Sequence, residues 1–317
     1  MPSACLPVKM KVMPGQASFG IEPPGYRLPA VARVGAVHLQ VPQLARSLAF
    51  YQDVLGLRVV ERDQVSAALG APGTGGAGGA DAAEPPLLSL RARPGTRPAR
   101  PGSLGLYHFA ILLPSREALG GLIAHLETLG VPFGGGDHLV SEAVYLSDPD
   151  GLGIEVYADR PREQWRVRGR ELVMATEPLD ADDLVRAAGG RGWEGLPAGS
   201  RVGHVHLSVG DLEQAEAFYH RALGLDKVVW SYPGALFFSA GGYHHHLGAN
   251  TWGRGEAAGA EEARLLSWEL QLPGGDAVEE AARSLEAAGY SVERSGTGWS
   301  ASDPWGQALH CVPGPIS

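Results

Sequence analysis

VGAVHLQVPQLARSLAFYQDVLGLRVV, residues 34–60, returns later in the chain as VGHVHLSVGDLEQAEAFYHRALGLDKV, residues 202–228. The two stretches align without a gap, placing His38 on His206 and Phe50-Tyr51 on Phe218-Tyr219. In the first copy, VHLQV alternates apolar and polar residues and predicts a strand. LARSLAFYQDVLG has helical spacing, with Gly56 as its stop. Further likenesses lie outward: LETLG (126–130) resembles LEAAG (285–289), and DPDGLGIE (148–155) resembles DPWGQALH (303–310). A repeat of this length means two tandem domains.

Each domain divides again. LYHFAILL predicts a second strand, and REALGGLIAHLETLG a helix ended by Gly130. AVYLSD and GIEVYA then form a hairpin across Asp148-Pro149-Asp150-Gly151. The expected fold is therefore α+β: four strand-helix-strands units, in two pairs, making curved mixed sheets. The expected boundaries are a tail over 1–30, a first domain over 31–160, a linker over 161–200 and a second domain over 201–317. The linker contains PLDADDLVRAA, a short helix capped by Asp180 or Asp182. APGTGGAGGADAAEPP, residues 71–86, is Gly/Ala-rich and expected to be a loop.

Composition narrows the partners. A hydrophobic share of 44% and a charged share of 19% are those of a globular chain able to build a core. The net charge of -9 argues against nucleic acid and anionic membranes as partners. The one basic cluster, Arg91 to Arg100, is interleaved with Pro and Gly and reads as a solvated loop. Two cysteines, Cys5 and Cys311, give no disulfide framework, and no stretch reads as a signal peptide or membrane span. A cytoplasmic protein is expected.

The chemistry should sit on the strands. Residues two apart on a strand share a face, so one inward His per strand can reach a common cavity. His38 and His108 occupy matching first strands of consecutive units, and Glu155 follows the hairpin turn. A lone strand His is usually a hydrogen-bonded core residue. A carboxylate between Ile154 and Val156 is harder to bury without a partner. Two His and one carboxylate from separate strands make the facial triad of non-haem Fe(II) oxygenases.

GDHLVSEAVYLSDPDGLGIE, residues 136–155, sharpens this reading. Its Gly136, His138, Val144, Tyr145, Asp148, Pro149, Gly151 and Glu155 resemble, in order and spacing, the extradiol dioxygenase signature of the vicinal oxygen chelate superfamily. That family also contains glyoxalases and bleomycin-resistance proteins. ADRPREQW and GGYHHHLGANTW (residues 242–252 carry all but the first Gly of the latter) extend the similarity to two-domain Bacillus-type catechol 2,3-dioxygenases, across nearly the whole chain beyond the tail. The resemblance implies paired βαβββ units around a metal, with His38, His108 and Glu155 as ligands to Fe(II), or alternatively Mn(II). It implies a catechol-like substrate chelated through two adjacent oxygens, with O₂ as co-substrate. His138 and Tyr145 would be the acid-base and substrate-binding residues. Homo-oligomers are common in the family. A glyoxalase-type lyase or isomerase, and a non-catalytic aromatic-binding resistance protein, are the alternatives on the same scaffold.

There is one departure. The family often carries a further acid-base His on the last strand of the preceding unit, where this chain reads PPLLSLRAR, with only Ser89 and Arg91 polar. In the second domain the position of His108 falls at Ser267 and that of Glu155 at His310. There, His206, His246, Glu269 and His310 are candidates for a different metal site, beside three adjacent histidines that cannot all face one cavity on a regular strand.

Overall fold

The computed structural model describes residues 19–71, 86–253 and 255–314. Most of the expected tail, and the Gly/Ala-rich loop between residues 72 and 85, lie outside these.

Each of the four units opens with a long strand, crosses over by a helix and returns as a three-stranded meander. The first unit holds β1 (Arg33–Val41), α1 (Leu44–Asp53), β2 (Arg58–Arg62), β3 (Ser66–Gly70) and β4 (Leu88–Ala92). The second holds β5 (Gly105–Leu112), α2 (Arg116–Leu129), β6 (Gly134–Asp137), β7 (Ser141–Ser147) and β8 (Gly153–Asp159). A connection with the short strands β9 (Val167–Arg168) and β10 (Glu171–Leu172) leads to α3 (Ala181–Ala188). The third unit holds β11 (Arg201–Ser208), α4 (Leu212–Ala215, continued by a π-helical stretch Glu216–Ala222), β12 (Asp226–Val229), β13 (Ala235–Ser239) and β14 (Leu247–Asn250). The fourth holds β15 (Arg264–Pro273), α5 (Gly274–Ala287), β16 (Glu293–Ser295), β17 (Gly298–Ser302) and β18 (Ala308–Gly314).

Local chemistry accounts for the helix ends. Ser115 accepts from the Ala118 N–H at the start of α2, and Gly130 ends it in the left-handed region at φ 65°. Leu119, Leu122, Ile123 and Leu126 form its fully buried face. Asp180 caps α3 through the Asp183 N–H, and α3 packs on α2 at Gly120, where a Cβ would come within 1.9 Å of the Leu184 carbonyl oxygen.

The units do not pair within each expected domain, first with second and third with fourth. One eight-stranded sheet runs β16-β17-β18-β15-β1-β4-β3-β2 and the other β12-β13-β14-β11-β5-β8-β7-β6. The first unit thus joins the fourth, and the second joins the third, through antiparallel β1–β15 and β5–β11 contacts. Every unit offers the same first-strand edge, so the repeat alone does not select the partner. One continuous core draws Leu39, Tyr51, Leu122, Phe218 and Trp268 from all four units. Among the described residues no helix is long and apolar enough to cross a membrane.

Candidate metal centre and active site

This pairing decides which residues meet. In the β5–β11 ladder His206 faces His108 and His204 faces Ala110. Residues two apart share a face, so His108, His204 and His206 project on one side. β8 runs parallel to β5 and brings Glu155 alongside Ala110. Gly203 admits the strand: a Cβ there would lie 1.9 Å from the Tyr157 hydroxyl.

Glu155 Oε2 lies 3.0 Å from His108 Nε2 and 3.2 Å from His204 Nε2. Donors about 2.1 Å from one ion at right angles stand about 3 Å apart, so these spacings suit a shared cation. His108 Nε2 has no aligned hydrogen-bond partner among the described residues although it is buried, and an orphaned buried imidazole nitrogen is what a metal would satisfy. Among the described residues these three form the one group whose ligand atoms all lie within 4.8 Å of one another.

The electrostatics hold His204 and Glu155 in their metal-binding forms. Burial pushes His204 down to about 4, against the pull of Glu155. His206 and His245 are held well below the ordinary imidazole range by burial and by neighbouring imidazoles. Burial alone would raise Glu155, but His204 and His108 outweigh it and keep its carboxyl well below the usual range. At neutral pH His204 therefore offers a bare nitrogen and Glu155 a carboxylate.

A cavity of about 230 Å³ is lined by His108 and Glu155, with His204 buried behind its wall, and also by His138, Tyr145, His206, His245, Met174, Thr176, Tyr232, Phe237, Tyr107 and Trp252. Tyr107 and Trp252 are half-exposed at its rim. His138 Nδ1 donates to the Ala175 carbonyl at 2.8 Å, which leaves Nε2 to accept from the Tyr145 hydroxyl at 2.5 Å. The next residue, Leu139, sits in the left-handed region at φ 69°, a conformation costing about 1–2 kcal/mol. The Leu139 N–H bond to Asp137 Oδ1 and the His138 N–H bond to the Ser141 carbonyl fix it there. Burial first, then Glu155, raises Tyr145 well above its usual range, so it stays a donor.

His38, expected as the third ligand, is not in this cavity. It lies on β1 in the other sheet, where its Nε2 is 3.1 Å from Glu269 Oε1. The pairing of first with fourth unit removes it from His108 and Glu155. His204, two residues before the His206 that aligns with His38 and at the position where the first unit has Ala36, lies beside His108 and Glu155 instead. The second-domain set divides in the same way. Glu269 and His310 stay with His38, their rings and carboxylate half-buried. His206 enters the cavity wall, and His246 turns away to accept from the Ala240 N–H. Those four residues do not form one site.

The stretch Tyr243 to His246 bears on the absent acid-base His. His244, His245 and His246 lie in an irregular segment before β14, not on a strand, so they point three ways. His245 reaches the cavity from the unit that is the spatial partner of the second. Matching β5 to β11, instead of β1 to β11, is the signal that would have found His204.

Comparison with known proteins agrees with this architecture. The model of the Glyoxalase/Bleomycin resistance protein/Dioxygenase superfamily matches residues 33–156 and 201–309. A catechol-2,3-dioxygenase of Bacillus subtilis is 42% identical over 277 residues, 86% of this chain and 93% of that one. A candidate dioxygenase structure from Bacillus subtilis superposes with a TM-score of 0.64 at 15% identity, covering 92% of this chain and 87% of that chain. Glyoxalase I from Zea mays gives a TM-score of 0.53 at 18% identity, covering 89% and 92%. Both structures share the fold. With more than half its length matched by one family model, the chain belongs to the Glyoxalase/Bleomycin resistance protein/Dioxygenase superfamily.

Proposed function

We propose that this protein is an extradiol ring-cleaving dioxygenase that inserts both atoms of O₂ into a catechol-like substrate, with Fe(II), or alternatively Mn(II), held by His108, His204 and Glu155. The observation that carries the reading is the convergence of two imidazoles and one carboxylate beside the Tyr145–His138 pair. The 42% identity to a catechol-2,3-dioxygenase supports it. The metal would supply a Lewis-acidic point for two vicinal oxygens and for O₂.

The residues around that point have separable tasks. Tyr145 offers a buried hydroxyl to a substrate oxygen, while His138 Nε2 can take or return the Tyr145 proton. His245, unprotonated at neutral pH, is placed to accept a proton from a substrate hydroxyl. Phe237, Met174 and Trp252 supply apolar walls. The cavity lies below the ~300–1,000 Å³ of drug-sized sites, which favours a single ring. A glyoxalase-type activity would call for a fourth protein donor, and three ligand atoms converge among the described residues. A cytoplasmic setting and homo-oligomer formation remain part of the same proposal.

The test is anaerobic reconstitution with Fe(II), followed by catechol in air. A yellow, near-ultraviolet-absorbing product formed with one O₂ consumed per ring supports the reading. Tight binding of one metal per chain with no oxygen uptake, across catechol and substituted catechols, would reject it.

A further inference from the structure

Behind His245, away from the cavity, lies a chain of polar groups that the proposed chemistry does not use. β8 supplies Glu155, Tyr157 and Asp159 at alternate positions, so the strand that carries the metal-ligand carboxylate also carries a second one about two residue pairs further on. Asp159 Oδ1 lies 2.9 Å from His244 Nε2. His244 Nδ1 lies 2.7 Å from His245 Nδ1. The His244 side chain is fully buried, whereas that of Asp159 is 29% exposed.

We propose that Asp159 and His244 are positioning residues that set the tautomer of His245, holding its proton on Nδ1 and presenting the bare Nε2 to the cavity. The direction of each hydrogen bond follows from the one group with no proton to give. A carboxylate only accepts, so His244 must carry its proton on Nε2. With that single proton on the ring, Nδ1 is bare and can only accept. Two bare nitrogens 2.7 Å apart would repel, so His245 donates from Nδ1, and its free lone pair is on Nε2. Tyr243 donates to the same Asp159 oxygen at 3.1 Å, and Tyr157 donates to the Tyr243 oxygen at 2.7 Å. Every proton in the cluster thus points toward Asp159.

The irregular backbone of residues 243–246 has a use in this arrangement. On a regular strand, His244 and His245 would face opposite sides of the sheet and could not join through their Nδ1 atoms. The segment between β13 and β14 turns instead, and the two rings meet with centroids 4.7 Å apart. A carboxylate that fixes the tautomer of a catalytic imidazole is worth up to about 10⁴-fold in turnover where it acts directly on the base. Acting through an intervening ring, the effect should be nearer the 10–100-fold of outer-shell partners.

The inference rests on the dioxygenase reading only for its kinetic part, so the experiment has two arms. In the first, long-range ¹H–¹⁵N correlation spectra of metal-free, histidine-labelled protein report which ring nitrogen of His245 carries the proton. Wild type should show the Nδ1–H form; His244→Leu should release it to a mixture or to the Nε2–H form. His244→Asn keeps an acceptor near the Nδ1 position and should restore Nδ1–H. An Nε2–H form in wild type, or no change in His244→Leu, overturns the proposal. In the second arm, Fe(II)-loaded His244→Leu should lose about 10–100-fold in kcat with metal content unchanged and KM within about threefold, and His244→Asn should regain most of it. Equal kcat for His244→Leu and wild type overturns the proposal. If wild type shows the Nδ1–H form but cleaves no ring, the dioxygenase reading fails while the positioning stands.

Discussion

The two sheets are built from one repeat and differ at the centre. In each, the first strands of two units run antiparallel with a matching register: His206 opposite His108 in one, His38 opposite Ser267 in the other. Around that shared frame the first sheet places His204 and Glu155, and the second places Ala36 and His310 at the corresponding positions of the repeat. The second sheet, with Ser267 at the position of His108, therefore keeps none of the three residues, and its Glu269 takes a hydrogen bond from the Ala36 N–H and pairs with His38. Burial would raise the Glu269 carboxyl, but these bonds outweigh it and hold it below its usual range. A half-buried, hydrogen-bonded His38–Glu269 pair closed on itself replaces an open donor set. The fold supplies curvature twice; the chemistry depends on three side chains.

The sharpest way to break this contrast is to exchange the fates of two histidines that look alike in sequence. His108→Ala and His204→Ala should each weaken Fe(II) or Zn(II) binding by more than about 100-fold, beyond the loss caused by outer-shell changes. His38→Ala should leave metal stoichiometry and affinity unaltered, at a modest cost in stability. Metal titration of the three variants side by side is sufficient. Retention of metal by His204→Ala together with its loss in His38→Ala would restore the ligand set expected from the repeat and remove the difference between the sheets.

That pair of histidines also marks how far sequence reading reaches. The four-unit layout, the helix stop at Gly130, the Asp180 cap and the turn at Asp148–Gly151 are local signals, and each appears where its chemistry requires. His108, His138, Tyr145 and Glu155 are carried by one unit, so their convergence follows from that unit's own hairpin and sheet. The third donor comes from another unit, and four near-identical edges leave the choice of partner to tertiary packing. His38 aligns well with His206, yet the residue grouped with His108 and Glu155 is two positions earlier. The sequence places Tyr243 to His246 on the strand where the missing acid-base His would lie, with His246 as the candidate. Residues 243–246 are not a strand, so period-two alternation does not apply and His245 is the one that reaches the cavity. The connecting segment was equally silent, although its Ala175 carbonyl fixes the His138 ring.

The contrast extends to acid. Burial, with neighbouring imidazoles, pushes His246 down to about 3. Unfolded, the same ring protonates near 6.5. Between these values the unfolded chain binds the extra proton, so this histidine's contribution is full above about 6.5 and is lost as pH falls toward 3. Replacing it by Asn keeps an acceptor for the Ala240 N–H and removes the titration. The acid limb of stability, measured by denaturant unfolding of metal-free protein, should become shallower by up to about 1.4 kcal/mol per pH unit in that window. His310, half-buried in the second sheet, is also lowered by burial but faces Glu269, so His310→Asn should change the slope less. Equal slopes for both variants would mean that acid sensitivity is shared evenly between the sheets.

A smaller effect tests what the sheets have in common. Tyr51 of α1 donates to Asp148 at 3.0 Å, and Tyr219 of the helix after β11 donates to Asp303 at 2.8 Å. Each bond runs from a helix of one sheet to a hairpin turn of the other, so the two motifs conserved within the repeat act as reciprocal ties. Both aspartates accept two backbone N–H groups within their own turns, and burial raises Asp148 to about 6. Tyr→Phe at either position leaves one carboxylate oxygen without its donor, a loss of about 1–3 kcal/mol. The ties differ in reinforcement: Ser47 and Arg46 also hold the first turn through Asp150, where the second turn has Trp305. Tyr51→Phe should therefore cost less than Tyr219→Phe in urea unfolding, and metal affinity should survive both. If Tyr51→Phe instead weakens metal binding, the Asp148 turn is setting the position of Glu155 four residues after Gly151, and the first tie belongs to the site as well as to the fold.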